Sequence, residues 1–254
     1  MKTKFILPIC LLMVVFFGSV STAQDMKPEA GKLYNQGNQS MKEGNYDKAI
    51  DSYTKALAIE KDYRIYYQEG IAFKNTGKLE DAKNAFESSL QLKADFEYAY
   101  NALGGVYFAM GNYQKAVDNF EKVISSTVSN KVKETVKKNL ALAYTKMGNI
   151  ALNDGNSEKA IKSLESAVQN SNYDAAYLTL AKIYSDLGKW DKAIGAAENA
   201  LKYRTTISKG GPYYYMGVAY KGKGDKTKAK EMFTEAKSDA TYKKTAEYEL
   251  SVMQ

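Results

Sequence analysis

Small, apolar and aromatic residues return along this chain at helical steps, in paired stripes divided by a glycine. Tyr66, Gly70 and Phe73 lie four and then three apart, and beyond Gly77 the residues Ala82, Phe86 and Ser89 repeat the same steps. Such spacing puts side chains on one helix face, so each pair of stripes reads as two amphipathic helices joined by a short turn. The same places are filled by Tyr100, Gly104, Tyr107 with Ala116, Phe120, Val123, and by Tyr213, Gly217, Tyr220 with Ala229, Phe233, Ala236. Ala49, Ala82, Ala116, Ala160, Ala193 and Ala229 lie 33, 34, 44, 33 and 36 residues apart, each five residues after a glycine. A period in the thirties marks one helical hairpin stacked many times, whose product is a surface.

Two sets of glycines have different reasons. Gly37, Gly70, Gly104, Gly148 and Gly217 fall inside first helices, with Ala181 in the one remaining such place, that of the fifth unit. A helix glycine costs about 1 kcal/mol relative to alanine, so close approach of the alanine-bearing second helix is the expected compensation. Gly44, Gly77, Gly111, Gly155, Gly188 and Gly224 end those helices, where a left-handed C-cap suits glycine.

Two irregularities organise the array. Between the third and fourth units the period grows by ten, beginning with the polar stretch Ser125 to Asn130. Val132, Val136, Leu140 and Tyr144 then continue at steps of four, which predicts a long first helix in the fourth unit. Past the sixth unit, Tyr242, Ala246, Leu250 and Met253 form one more stripe, expected to cap the array. The expected layout is a short segment over 24–29, three units over 30–126, three over 127–240, and a capping helix over 241–254.

The quoted residues resemble the tetratricopeptide repeat family, whose pattern is an aromatic, a large residue with glycine, a tyrosine, then alanine, phenylalanine and alanine at matching intervals. The first unit departs at Leu33 and Ser40, the fourth at Ala151 and Leu164, the fifth at Ala181 and Ala197, and the family's proline after the second helix is missing. The resemblance implies an all-α, right-handed solenoid of about six helix-turn-helix repeats. It also implies a concave groove, lined by first helices, that takes up an extended peptide or a partner's helix. Carried over, that geometry places Tyr34, Asn38, Tyr67, Lys74, Tyr98, Asn101, Phe108, Asn149, Lys182 and Tyr214 on the inner wall. The carboxylate clamp of some members is not carried over: the matching places hold Tyr34, Asn38, Gln68, Tyr98 and Ala102, of which only Asn38 fits.

Composition narrows the chemistry. Lys2 and Lys4 precede an apolar run from Phe5 to Phe17 and a small-residue stretch ending at Ala23, which reads as a secretory signal peptide over 1–23. Beyond it the chain has no histidine and no cysteine, which excludes disulfides, thiolate chemistry and the usual zinc sites and implies no cofactor. Removing Lys2 and Lys4 lowers the net charge from +7 to +5. Arg64 and Arg204 are its only arginines, a poor endowment for nucleic acid.

Gly217 to Gly224 nearly spells a P-loop but lacks the Ser or Thr after Lys223 and lies on a helix. The acids Asp47, Glu80, Asp81, Glu158 and Asp191 precede repeat alanines, where they favour second-helix dipoles. Eleven basic against four acidic residues from Leu201 to Lys244, many of them within Lys221–Lys230, suggest a weak foothold for an acidic partner or envelope polymer. The reading is a non-enzymatic, exported scaffold of a bacterial envelope, periplasmic or extracellular, binding a protein or peptide partner. The alternative is a small-ligand or glycan-binding module on the same solenoid.

Overall fold

A computed structural model describes residues 26–253. The signal peptide expected over 1–23 lies outside the described residues. Among them the helices are α1 Pro28–Lys42, α2 Tyr46–Ile59, α3 Tyr63–Asn75, α4 Leu79–Leu92, α5 Glu97–Ala109, α6 Tyr113–Ser126 and α7 Asn130–Asn153. They continue as α8 Ser157–Asn170, α9 Asp174–Asp186, α10 Trp190–Lys202, α11 Gly210–Gly222, α12 Lys226–Ala236 and α13 Lys243–Ser251. The described residues contain no strand. The chain divides into two compact units between Asn139 and Leu140, inside the 24-residue α7 rather than in the polar stretch before it.

In the first unit the hairpins α1–α2, α3–α4 and α5–α6 stack in order, α2 packing on α3 and α4 on α5. First helices also touch their successors, α1 on α3 and α3 on α5, so they form one wall. The second unit stacks α8 on α9, α10 on α11 and α9 on α11, and closes with α13 on α12. There Ala246 and Met253 join Phe233 and Ala236 in a core that Tyr242 and Leu250 border.

The turn glycines take the conformation their position demands. Their φ angles run from +66° at Gly188 to +82° at Gly224, in the left-handed region. The residue after each donates its N–H back five residues, as Asn112 does to the Tyr107 carbonyl at 2.8 Å and Asp225 to that of Tyr220 at 3.0 Å. This closes the last turn of the first helix and sets the exit angle of the chain. The acids Asp47, Glu80, Asp81, Glu158 and Asp191 lie in first turns of second helices, as their spacing implied.

The helix glycines make room for something other than the repeat alanine. A Cβ on Gly70 would stand 2.6 Å from the Phe86 ring, on Gly104 2.7 Å from Phe120, on Gly148 2.6 Å from Leu164, and on Gly217 2.7 Å from Phe233. The same conflict would arise between Gly37 and Tyr53. The partner is therefore the large residue sixteen positions on, whose full burial contributes about 1.5–3 kcal/mol and exceeds the cost of the glycine. The fifth hairpin inverts the pairing: Ala181 replaces the glycine, Ala197 replaces the ring, and both have 0% exposure.

One support was hidden in the sequence. Asp174, wholly buried at the start of α9, accepts N–H bonds from Thr205 and Thr206 at 2.6 Å and Ile207 at 3.2 Å, and the Thr206 hydroxyl at 2.6 Å. Burial alone would raise its pKa, but the Thr206 hydroxyl and these N–H groups outweigh it and hold the carboxyl below its usual range. The loop between α10 and α11 is thereby pinned.

Candidate functional site

The wall of the first unit is built from stripes at steps of three and four: Tyr34, Asn38 and Met41 on α1; Arg64, Tyr67, Ile71 and Lys74 on α3; Tyr98, Asn101, Gly105 and Phe108 on α5. Tyrosines gather along it. Tyr67 sits edge-on to Phe96 at 5.2 Å and tilted on Phe86 at 5.8 Å, while Phe96 also meets Tyr98 at 5.4 Å and Tyr63 at 5.0 Å. Burial pushes the Tyr67 hydroxyl up to about 12, and the neighbouring Tyr98 and Tyr34 hydroxyls push the same way. Burial pushes the Lys74 ammonium down to about 8. Arg64 is held in a fork by Asp62, with Nε to Oδ1 at 3.0 Å and Nη2 to Oδ2 at 2.8 Å.

Two of the expected wall residues are corrected. Tyr34 is only 3% exposed, because its ring turns onto Tyr53, 6.0 Å away. Phe108 is 7% exposed and lies edge-on to Tyr113 at 5.1 Å, so it packs within its own hairpin. Asn38 is half-buried and accepts the Tyr53 hydroxyl at 2.7 Å. Tyr67, Lys74, Tyr98 and Asn101 are half-buried and present part of their surface.

Asn101 stands apart within this set. Its Oδ1 is buried and accepts no hydrogen bond among the described residues. Buried acceptors are nearly always satisfied, and leaving one unpaired costs about 1–3 kcal/mol.

In the second unit the expected residues are Asn149, half-buried on α7, Lys182, exposed on α9, and Tyr214 on α11. The Tyr214 ring packs against Tyr215, Tyr242 and Phe233 at 5.4–5.7 Å, which makes it part of the seat for α13. The lysines of 221–230 are largely engaged within the chain. Lys221 pairs with Glu249 at 2.6 Å, Lys223 with Asp191, and Lys228 with Asp225 at 3.9 Å. Their charge is offset locally, which weakens the expected foothold for an acidic polymer. Among the described residues there is no cluster of three or more potential metal ligands, and no helix is long and apolar enough to cross a membrane.

Stacked helical hairpins with a wall of first helices define the class of helical-repeat proteins. Family models described as tetratricopeptide repeat match residues 32–63, 63–96, 97–127, 145–202 and 213–240, and the chain belongs to that family. Small glutamine-rich tetratricopeptide repeat-containing protein 2 of Mycosarcoma maydis is 31% identical over 114 residues, covering 44% of this chain and 32% of that protein. Heat shock protein STI1 of Saccharomyces cerevisiae is 27% identical over 108 residues, covering 42% and 18%. The chain thus spans about a third or less of these relatives' lengths. Among solved structures, MamA from residue 41 onward of Desulfovibrio magneticus RS-1 superposes with a TM-score of 0.52 at 22% identity, over 70% of this chain and 94% of that one. YrrB, described as a TPR protein with an unusual peptide-binding site, gives 0.50 at 22% identity, over 77% and 96%. These two likenesses concern the fold.

Proposed function

We propose that this protein is a non-catalytic scaffold that holds an extended segment of a partner protein on the first-helix wall of its first unit. The observation that carries this reading is the buried, unpaired Oδ1 of Asn101 beside Tyr98 on a tyrosine-rich face. A ligand backbone N–H would satisfy that oxygen, and tyrosine supplies contact area at little cost in rotamer entropy. Asn101→Leu tests it. The substitution removes an unsatisfied acceptor at similar volume, so thermal stability should hold or rise while capture of the native partner is lost. Retained capture by Asn101→Leu would sink the reading.

The setting we propose is the envelope of a bacterium, reached through the leader over 1–23. The basic, apolar and small-residue order of that stretch supports it. Mass spectrometry of the protein from its native envelope should find an amino terminus at Gln24, and an intact Met1 would refute export by cleavage.

A further inference from the structure

The rings of Tyr177 and Tyr203 lie nearly parallel, inclined by 18° with centroids 5.9 Å apart. At that spacing the stack is offset, so the edge of one ring overlies the other. Tyr177 stands on the first turn of α9 and Tyr203 directly follows α10, so the pair joins the start and the end of one hairpin. Three contacts hold it. The Tyr177 hydroxyl donates to Asn172 Oδ1 at 3.2 Å, Lys202 Nζ sits 5.0 Å from the Tyr203 centroid, and Asp174 fastens the residues just after Tyr203 to the start of α9. Other tyrosine pairs among the described residues are placed differently. Tyr34 and Tyr53 are inclined by 48° and are only 3% and 0% exposed. Tyr215 meets Tyr214 and Tyr242 at 78° and 77°, and Tyr214 meets Tyr242 at 35°. Tyr177 and Tyr203 are both half-buried, which leaves each ring partly open to a reagent in solution. Beyond residue 23 the chain has no cysteine, so no disulfide can bridge these helices.

We propose that Tyr177 and Tyr203 form a modification site, an intramolecular dityrosine cross-link made when a one-electron oxidant generated from hydrogen peroxide reaches them. Each phenol gives up one electron and its hydroxyl proton, and the two phenoxyl radicals join by a carbon–carbon bond between positions ortho to oxygen. The ring hydrogens at the joined carbons then move to the oxygens, which restores both phenols. In total two hydrogen atoms leave the protein and reduce one hydrogen peroxide to two waters. Burial and the neighbouring Tyr203 push the Tyr177 hydroxyl up, so it enters the reaction as a neutral phenol. Radicals held in contact couple faster than radicals on separate molecules, because the fold has already arranged their encounter. The product is a covalent staple that closes residues 177–203 and restricts the unfolded chain. It acts on the second unit whatever the wall of the first unit binds.

The test treats purified protein at low concentration with a haem peroxidase and hydrogen peroxide, and reads dityrosine fluorescence and the mass of cross-linked tryptic peptides. The expected product is a monomer that has lost two hydrogens, with Tyr177 joined to Tyr203 and a higher urea midpoint than the untreated protein. Tyr177→Phe and Tyr203→Phe, each with its fold checked by circular dichroism, should both abolish it. Asp174→Asn keeps both rings but loosens the loop behind Tyr203, and should lower the yield about 2- to 10-fold. Tyr214→Phe should leave the yield unchanged. A product joined through Tyr214 and Tyr242 instead, cross-linked dimers without the internal link, no dityrosine at all, or an undiminished yield from Tyr177→Phe would each overturn the site.

Discussion

Replacing Gly104 by alanine should destabilise the wild-type protein and stabilise a variant that lacks the Phe120 ring. The new Cβ would lie 2.7 and 2.8 Å from Phe120 Cε1 and Cδ1, well inside the roughly 3.5 Å of a comfortable carbon contact. Phe120 is fully buried, so any shift of its ring presses on packed neighbours. Overpacking of this kind costs about 1–3 kcal/mol, against a gain of about 1 kcal/mol in helix propensity, for a net loss of about 0–2 kcal/mol. Phe120→Ala alone should cost about 3–5 kcal/mol. In that background the added methyl meets a cavity, so only the favourable terms remain and Gly104→Ala should return about 1 kcal/mol. The coupling, about 1–3 kcal/mol, is what two residues in direct contact give. The natural pair Ala181 and Ala197 already has this double-alanine arrangement, fully buried. Urea titration of all four proteins, read by circular dichroism and by hydrogen exchange of α5 and α6 amides, measures the cycle. An equal effect of Gly104→Ala in both backgrounds would refute the ring-for-glycine packing.

The other expectations concern the turns, the pinned loop and the cap. Gly111→Ala puts a side chain at φ +78° and should cost about 1 kcal/mol, read as a lower midpoint in urea; an unchanged midpoint would count against the left-handed cap. Asp174→Asn should lose about 1–3 kcal/mol at neutral pH by weakening the bonds that hold Thr205 to Ile207. The native carboxyl is depressed, so its contribution is full above its unfolded pKa near 4 and is lost as pH falls through the lower folded value. The gap between wild type and Asp174→Asn should therefore close as pH falls from about 5 through the depressed folded pKa, and a constant gap would contradict it. Ala246→Glu, buried at the α12–α13 contact, should detach α13 and raise amide exchange there, whereas unaltered protection would show that the contact is not required.

Much of the architecture could be read from spacing, because a hairpin repeat writes its contacts at fixed intervals. The turn glycines, the length of α7 and the stripe that became α13 all follow from periodicity. What periodicity misses is direction. Gly104 and Ala116 share a hairpin, yet the atom nearest the missing Cβ belongs to Phe120, because the ring reaches across where the methyl does not. Tyr34 and Phe108 occupy wall positions by register, but each ring rotates inward onto a neighbour. Asp174 carries no signal in the spacing, since its partners lie 31 to 33 residues away in a loop with no pattern of its own. Asn101 was one wall residue among ten, and its distinction, a buried oxygen without a donor, belongs to the packing. A repeat-wise register could have found the ion pairs Lys78–Asp47 and Lys223–Asp191, which join the edge of one turn to the first turn of the preceding second helix.

The central claim is that the first-unit wall holds a segment of another protein. It is tested most directly by placing a photo-crosslinking amino acid at position 98 in the native host and sequencing the adduct. The account predicts an adduct mapping to one extended segment of a single partner, absent when Asn101→Leu is added and absent when the crosslinker sits at the exposed Leu92 on α4. Adducts of equal yield from positions 98 and 92, or an adduct at 98 indifferent to Asn101, would contradict it.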